Sequence, residues 1–269
     1  MKKRALSMGL VLAPLLAVTA CGGAGAGTSS NYQYVGPAQG APPPDPPPPS
    51  SAPPPPPAAT PTCETRDVYT LCTRQDLTIV PATMRNHMTE VFFDVYPRLV
   101  QRFNRGAPMM VTFVFNDNNT PGAALGNTVW YQAQWLNDHA EDYDIVVHEV
   151  MHLVEAYDFG LVPSWLTEGI ADYARYHYGV NNAANHWSMT PPSPTTSYTL
   201  GYGTAARFLV WVEDKYDAHA VEELNAALRG GSYAPAMWMT MTGKDVNALW
   251  AEYLADTTWA PGPPQGHSN

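Results

Sequence analysis

His148, Glu149 and His152 stand in the order H-E-x-x-H, and this spacing is the strongest chemical signal in the chain. On a helix, residues four apart lie one turn apart on the same face. His148 and His152 can therefore offer two imidazoles to one Zn2+, at about 2.0–2.1 Å. Glu149, next to His148, can reach metal-activated water and take its proton as general base during attack on a carbonyl. The bland alternative is a helix with two polar surface histidines. The neighbours argue against it. Ile145, Val146, Val147, Val150, Met151, Leu153 and Val154 make the segment apolar over most of its circumference. A buried helix carries His-Glu-His at a cost that a bound metal offsets.

A catalytic zinc site usually takes three protein ligands, and two readings of the third stay open. In the pattern that continues H-x-x-G-x-x-H, the ligand falls on Asp158. Glu155, however, occupies the position where that pattern needs a glycine to turn the chain towards the metal. The favoured reading is Glu168, within Trp165-Leu166-Thr167-Glu168-Gly169-Ile170-Ala171-Asp172. Asp172 lies one turn later on the same face. It can accept a hydrogen bond from the far ring nitrogen of a ligand histidine and fix its tautomer. Without a metal, Glu168 is an acidic residue favoured near a helix N-terminus by the dipole.

The elements that must hold these residues follow from periodicity. Apolar residues at helical spacing predict an amphipathic helix over 82–104, with Pro97 as a point where it can kink or break. A β-rich run over 109–115 and a second over 126–134 predict strands, the latter with Val129 and Tyr131 on one face and Trp130 on the other. Asp142 or Asp144 opens the H-E-x-x-H helix, which is expected to stop near Gly160. Ser164 is the expected N-cap of the next helix, which ends near Gly179. The stretch 180–198 is irregular. Helices follow over about 201–214, 217–229 and 243–256, the last with Thr242 and Asp245 as a capping box. The order is α+β.

The N-terminus has a different character. Lys2, Lys3 and Arg4 precede an apolar run to about Ala20, too short for a good transmembrane helix and typical of a signal peptide over 1–20. Val18-Thr19-Ala20-Cys21 resembles a bacterial lipobox, which makes Cys21 a lipidation site. Thirteen of the 27 prolines lie between Pro42 and Pro61. Residues 21–62 therefore read as a disordered tether, of which about 20 residues in polyproline II span roughly 60 Å. The reading places the protein on the extracytoplasmic face of a bacterial membrane. In that oxidising setting Cys63 and Cys72 are expected to pair as a disulfide. Residues 63–258 form the expected domain and 259–269 a disordered tail. After signal removal 11 basic residues stand against 24 acidic ones. Such a balance argues against a nucleic-acid partner bound through a broad basic surface.

Several separated blocks resemble one known family. They are Gly126-Asn127-Thr128-Val129, the H-E-x-x-H segment from Asp142, Leu166 to Tyr173, Gly201-Tyr202 to Leu209, and Gly243 to Tyr253. Together they look like the peptidases of plants and bacteria called basic secretory proteins, over roughly 75–258. The resemblance implies a zincin-like metallopeptidase fold of gluzincin type: a small mixed sheet packed on the H-E-x-x-H helix, followed by a helical C-terminal part. It implies Zn2+ as cofactor and a peptide or protein as substrate. The acidic charge departs from the family's name, so no basic surface informs substrate choice. In the matching Gly-Tyr block, Tyr202 is the expected oxyanion donor, with Tyr198 in reserve and a core aromatic as the plain alternative. The strand over 127–133 is a candidate edge for peptide addition. His177 and the His186-Trp187 pair receive no role. Two other functions share the motif: a tethered binding module with a zincin fold and no turnover, and a zinc hydrolase acting on another substrate.

Overall fold

The computed structural model describes residues 60–158 and 160–264. The signal segment, Cys21 and nearly all of the proline block lie outside the described residues.

A five-stranded mixed sheet forms one layer. Its strands are β1 (Thr62–Arg66), β2 (Tyr69–Gln75), β3 (Met110–Asn116), β4 (Gly122–Leu125) and β5 (Thr128–Gln132), in the spatial order β1-β2-β3-β5-β4. The β2, β3 and β5 strands run parallel, and each edge strand is antiparallel to its neighbour. β5 faces the core with Val129 and Tyr131, while Trp130 points the other way. It is an inner strand, so the expectation of an edge at 127–133 is corrected: the edge is the four-residue β4. β4 is too short and too rich in Gly and Ala to show β-character in the sequence. The hairpin of β1 and β2 is likewise new. It holds Cys63 opposite Cys72, and the two form a disulfide.

Against the sheet lies α1 (Ala82–Phe103), which runs through Pro97 without interruption. The lost hydrogen bond costs about 3 kcal/mol. A buried stripe from Met84 to Phe103, including Phe92, Val95, Tyr96 and Leu99, offsets that cost. Phe92 packs edge-on to Phe113, and Phe113 edge-on to Tyr131, so aromatic contacts join helix to sheet.

The remaining helices are α2 (Ala133–Asp138), α3 (Ile145–Glu155), α4 (Ser164–Tyr178), α5 (Tyr202–Lys215), α6 (Ala220–Arg229), α7 (Ala236–Thr242) and α8 (Val246–Ala255). α3 is shorter than expected. It ends where Ala156 takes a left-handed conformation, φ 47°. Asp144 does not cap its own helix with its side chain. Its carboxylate accepts instead from the backbone N–H groups of Val180 and Asn181, tying the irregular stretch to α3. Ser164 is the first helical residue of α4, preceded by Pro163, and makes no cap. The Thr242–Asp245 capping box is also corrected. Asp245 alone caps α8, accepting from Asn247 and Ala248 N–H at 3.0 Å, while Thr242 donates back to the Trp238 carbonyl. Phe208, Trp211, Trp238, Trp250 and Tyr253 fill the core between the last helices. Among the described residues no helix is long and apolar enough to cross a membrane.

His177 on α4 is buried, and burial together with nearby Arg102 pushes its imidazole down to about 3. A lowered histidine pKa means that only the unfolded chain gains the proton below about 6.5, so stability falls as pH drops. Between pH 7 and pH 5 the loss from this group is about 2 kcal/mol. His177→Gln is expected to remove that share of the pH dependence. Urea denaturation of both proteins at the two pH values measures it, and equal losses would contradict it.

Candidate metal centre

α3 and α4 bring three donors together. Nε2 of His148 and Nε2 of His152 lie 3.2 Å apart. Oε2 of Glu168 lies 3.3 Å from the first and 3.8 Å from the second. All three ligand atoms fall within 4.8 Å of one another. Ligands held tetrahedrally at about 2.0–2.1 Å from zinc are spaced by about 3.3 Å. Two imidazole nitrogens and one carboxylate oxygen at this spacing fit zinc in kind and in geometry. Asp158 is exposed and is not in this cluster.

The far ring nitrogens explain why the near ones converge. His148 Nδ1 is 2.7 Å from Asp172 Oδ1, and His152 Nδ1 is 2.8 Å from Glu155 Oε2. Each carboxylate fixes one ring and leaves Nε2 facing the cluster. Glu155, which stands where the H-x-x-G-x-x-H pattern needs glycine, thus has a role of its own in orienting His152. Its position three residues after His152, on the same helical face, was the signal for this contact. Burial pushes its carboxyl up to about 7, against the pull of His152. Burial opposes charge on His148, yet hydrogen bonds that its ring can donate to the Asp172 and Glu168 carboxylates outweigh it and raise the imidazole well above its usual range. Glu168 is held low by His148 and His152 against the opposing effect of burial. The site is built to hold positive charge.

Glu149 points into the same cleft but joins neither carboxylate pair. Its Oε2 is buried without a hydrogen-bond partner. Burial raises its pKa, with Glu168 and Asp172 adding to the rise and the two histidines opposing it. Gly122 on β4 makes room for it, since a Cβ there would lie 2.0 Å from Glu149 Oε1. Gly122 gave no signal in the sequence, because its role arises from a strand that only tertiary structure defines.

Tyr202 opens α5 with φ 47°, a strained conformation for a bulky residue. Its ring lies parallel to His148, with centroids 6.1 Å apart, and burial together with the nearby Glu168 carboxylate raises the pKa of its phenol. Tyr198 lies elsewhere: its hydroxyl donates to Asn247 and its ring packs on Trp165. The cleft encloses about 690 Å³. Its walls include Gly122 to Ala124 of β4, Trp135, Arg175 and Trp187, none of which the motifs had singled out for function.

A mixed sheet, an H-E-x-x-H helix packed against its β4–β5 end and three convergent donors make this a candidate metallohydrolase centre. The chain belongs to the family described as peptidase of plants and bacteria, whose model matches residues 79–253. This bears out the resemblance drawn from the separated blocks. Solved structures show a looser likeness. An M1 zinc metallopeptidase variant from Deinococcus radiodurans, with a Tyr-Ser-Ala substrate, aligns with a TM-score of 0.45 and 15% identity, over 75% of this chain and 53% of that one. An aminopeptidase N family protein from Idiomarina loihiensis aligns with a TM-score of 0.48 and 13% identity, over 76% and 47%. The chain thus spans about half the length of the solved structures it resembles. No curated protein matches it.

Loss of either ring-orienting carboxylate is expected to weaken zinc binding. Asp172→Ala and Glu155→Gln should each cost about 10–100-fold in affinity. Competition with a chromophoric chelator measures this, and wild-type affinity in both variants would contradict it.

Proposed function

We propose that this protein is a zinc-dependent metallopeptidase with a zincin-like fold, in which Glu149 is the general base of peptide-bond hydrolysis. The observation that carries the reading is the buried, unpartnered carboxylate oxygen of Glu149 beside the donors His148, His152 and Glu168. Family membership supports the same substrate class.

His148, His152 and Glu168 would hold the ion. Bound there, zinc supplies Lewis acidity, which lowers the pKa of water and polarises a carbonyl. The chain's own residues do the rest. Burial raises the proton affinity of Glu149, which makes it a better base for accepting a proton and returning it to the leaving amine. Asp172 and Glu155 keep the two rings in orientation. Tyr202 is the candidate hydrogen-bond donor to the carbonyl oxygen as charge develops there. Its place in the cleft wall, with its ring parallel to His148 and beside Glu149 and Glu168, supports that role. Among the described residues β4 is an edge strand of the sheet, and it lines the cleft. An extended peptide adding to that edge would meet the metal centre with its backbone paired.

We also propose export through a signal over 1–20, a lipid at Cys21 and a tether to a domain over 63–258, on the extracytoplasmic face of a bacterial membrane. The apolar run, the lipobox-like Val18 to Cys21 and the proline block support this.

Glu149→Gln is expected to lower kcat by about 10²–10⁴-fold with zinc retained. Peptide hydrolysis together with metal analysis measures both, and an unchanged rate in a zinc-loaded variant would sink the mechanism. Gly122→Ala forces Glu149 out of place, which should cost about 10²-fold in kcat, again with zinc retained. The same two assays decide it. A rate equal to wild type would mean that the Glu149 position does not matter.

A further inference from the structure

Along α4, Glu168 faces the metal donors, Asp172 faces His148 Nδ1, and Arg175 faces Asp142 just before α3. The cleft therefore continues past the metal centre towards the start of α3. There it is lined by Trp135, Asp142, Ile145, Arg175 and Trp187. Asp142 and Arg175 are buried and joined at 2.5 Å. Asp142 also accepts from Asn185 Nδ2 at 2.8 Å and from Trp135 Nε1 at 3.2 Å. Arg175 also donates to Asn182, and its guanidinium lies 4.6 Å from the centre of the Trp187 ring. His139 stacks on Trp135 at 3.7 Å. Trp135 is thus fixed by Asp142 and His139 and Trp187 by Arg175, and both indoles remain half-buried where they line the cleft.

We propose that Trp135 and Trp187, held by the buried Asp142–Arg175 ion pair, form the pocket that receives an aromatic side chain flanking the scissile bond of the substrate. This rests on the peptidase reading above. The chemistry of the walls selects the occupant. Asp142 is ion-paired with Arg175 and takes two further donors, so little of its charge is left for a cationic side chain at this end of the cleft. That cation would also approach Arg175, whose guanidinium already lies over Trp187. An anionic side chain meets the carboxylates of Asp142, Glu149 and Glu168 in the same cleft. Uncharged side chains remain. Among these, a flat aromatic ring gains most, by burying its large apolar area and by offset or edge contacts with the two indoles. Trp135 and Trp187 are specificity-determining residues here, and Asp142 and Arg175 are positioning residues.

The test is a set of peptides of one sequence in which each position in turn is Phe, Ala, Lys or Asp, digested by the zinc-loaded protein. At one position flanking the cleaved bond, kcat/KM for Phe is expected to exceed that for Ala at least tenfold, with Lys and Asp below Ala. Trp187→Ala and Trp135→Ala should each reduce the Phe-to-Ala ratio to below threefold, and Trp187→Phe should restore most of it. Circular dichroism and zinc content establish that the variants are folded. Cleavage by wild type without an aromatic preference, or a preference that survives both alanine variants, overturns the pocket and leaves the peptidase reading standing. Cleavage of no peptide by the zinc-loaded wild type overturns both.

Discussion

α3 is buried along nearly its whole length, yet it carries four ionisable side chains, His148, Glu149, His152 and Glu155. Burying such groups without partners costs several kcal/mol each. Most of the surrounding architecture supplies those partners. α4 contributes Glu168 and Asp172, one turn apart, to the two imidazoles. Glu155 turns back along its own helix to His152. Two carboxylate oxygens are left over: Glu155 Oε1, whose sister oxygen holds His152, and Glu149 Oε2, which belongs to a carboxylate with no such bond. An unpaired buried carboxylate beside a three-donor cluster is destabilising for the fold and useful for proton transfer.

The neighbouring elements keep α3 and α4 in register. Asn104, just after α1, donates to the Val154 carbonyl at 2.8 Å near the end of α3. At the other end, Asp144 and Asp142 bind the stretch around Val180 to Asn185. Gly169 lets α5 approach α4 closely: a Cβ there would lie 2.7 Å from Ala205 Cβ. This approach brings Tyr202 over His148. On the sheet side, Gly122 does the same for β4 and Glu149. Two glycines thus set two walls of the cleft, one through helix packing and one through an edge strand. The acidic net charge of the chain is compatible with a site that gathers carboxylates around a cation, since the ion itself is the largest local charge when bound.

Much of this was legible in the sequence where local spacing carries the information. The i, i+4 spacing of His148 and His152, and of Glu168 and Asp172, survives folding unchanged because a helix enforces it. The amphipathic stripe of α1 was equally plain, although Pro97 falsely suggested a break that packing overrides. Glu155 was legible in principle, at i, i+3 from His152, but was weighed only against another family's glycine. The remainder depends on contacts distant in sequence. β4 has too few residues and too little side chain to declare itself, so the edge was assigned to β5. Gly122 and Glu149 are 27 residues apart, and Asp142 and Asn185 are 43 apart. No periodicity links such pairs, and only the folded chain brings Trp135, Arg175 and Trp187 to one wall.

On the proposed reading, α3 and α4 together hold zinc through two imidazoles and one carboxylate. X-ray absorption at the zinc edge of the zinc-loaded protein tests it most directly. Two imidazole nitrogens at about 2.0–2.1 Å are expected, with oxygen as the other scatterers. The loss of one imidazole in His152→Ala is expected as well. A spectrum without imidazole scattering, or one unchanged in His152→Ala, would contradict it.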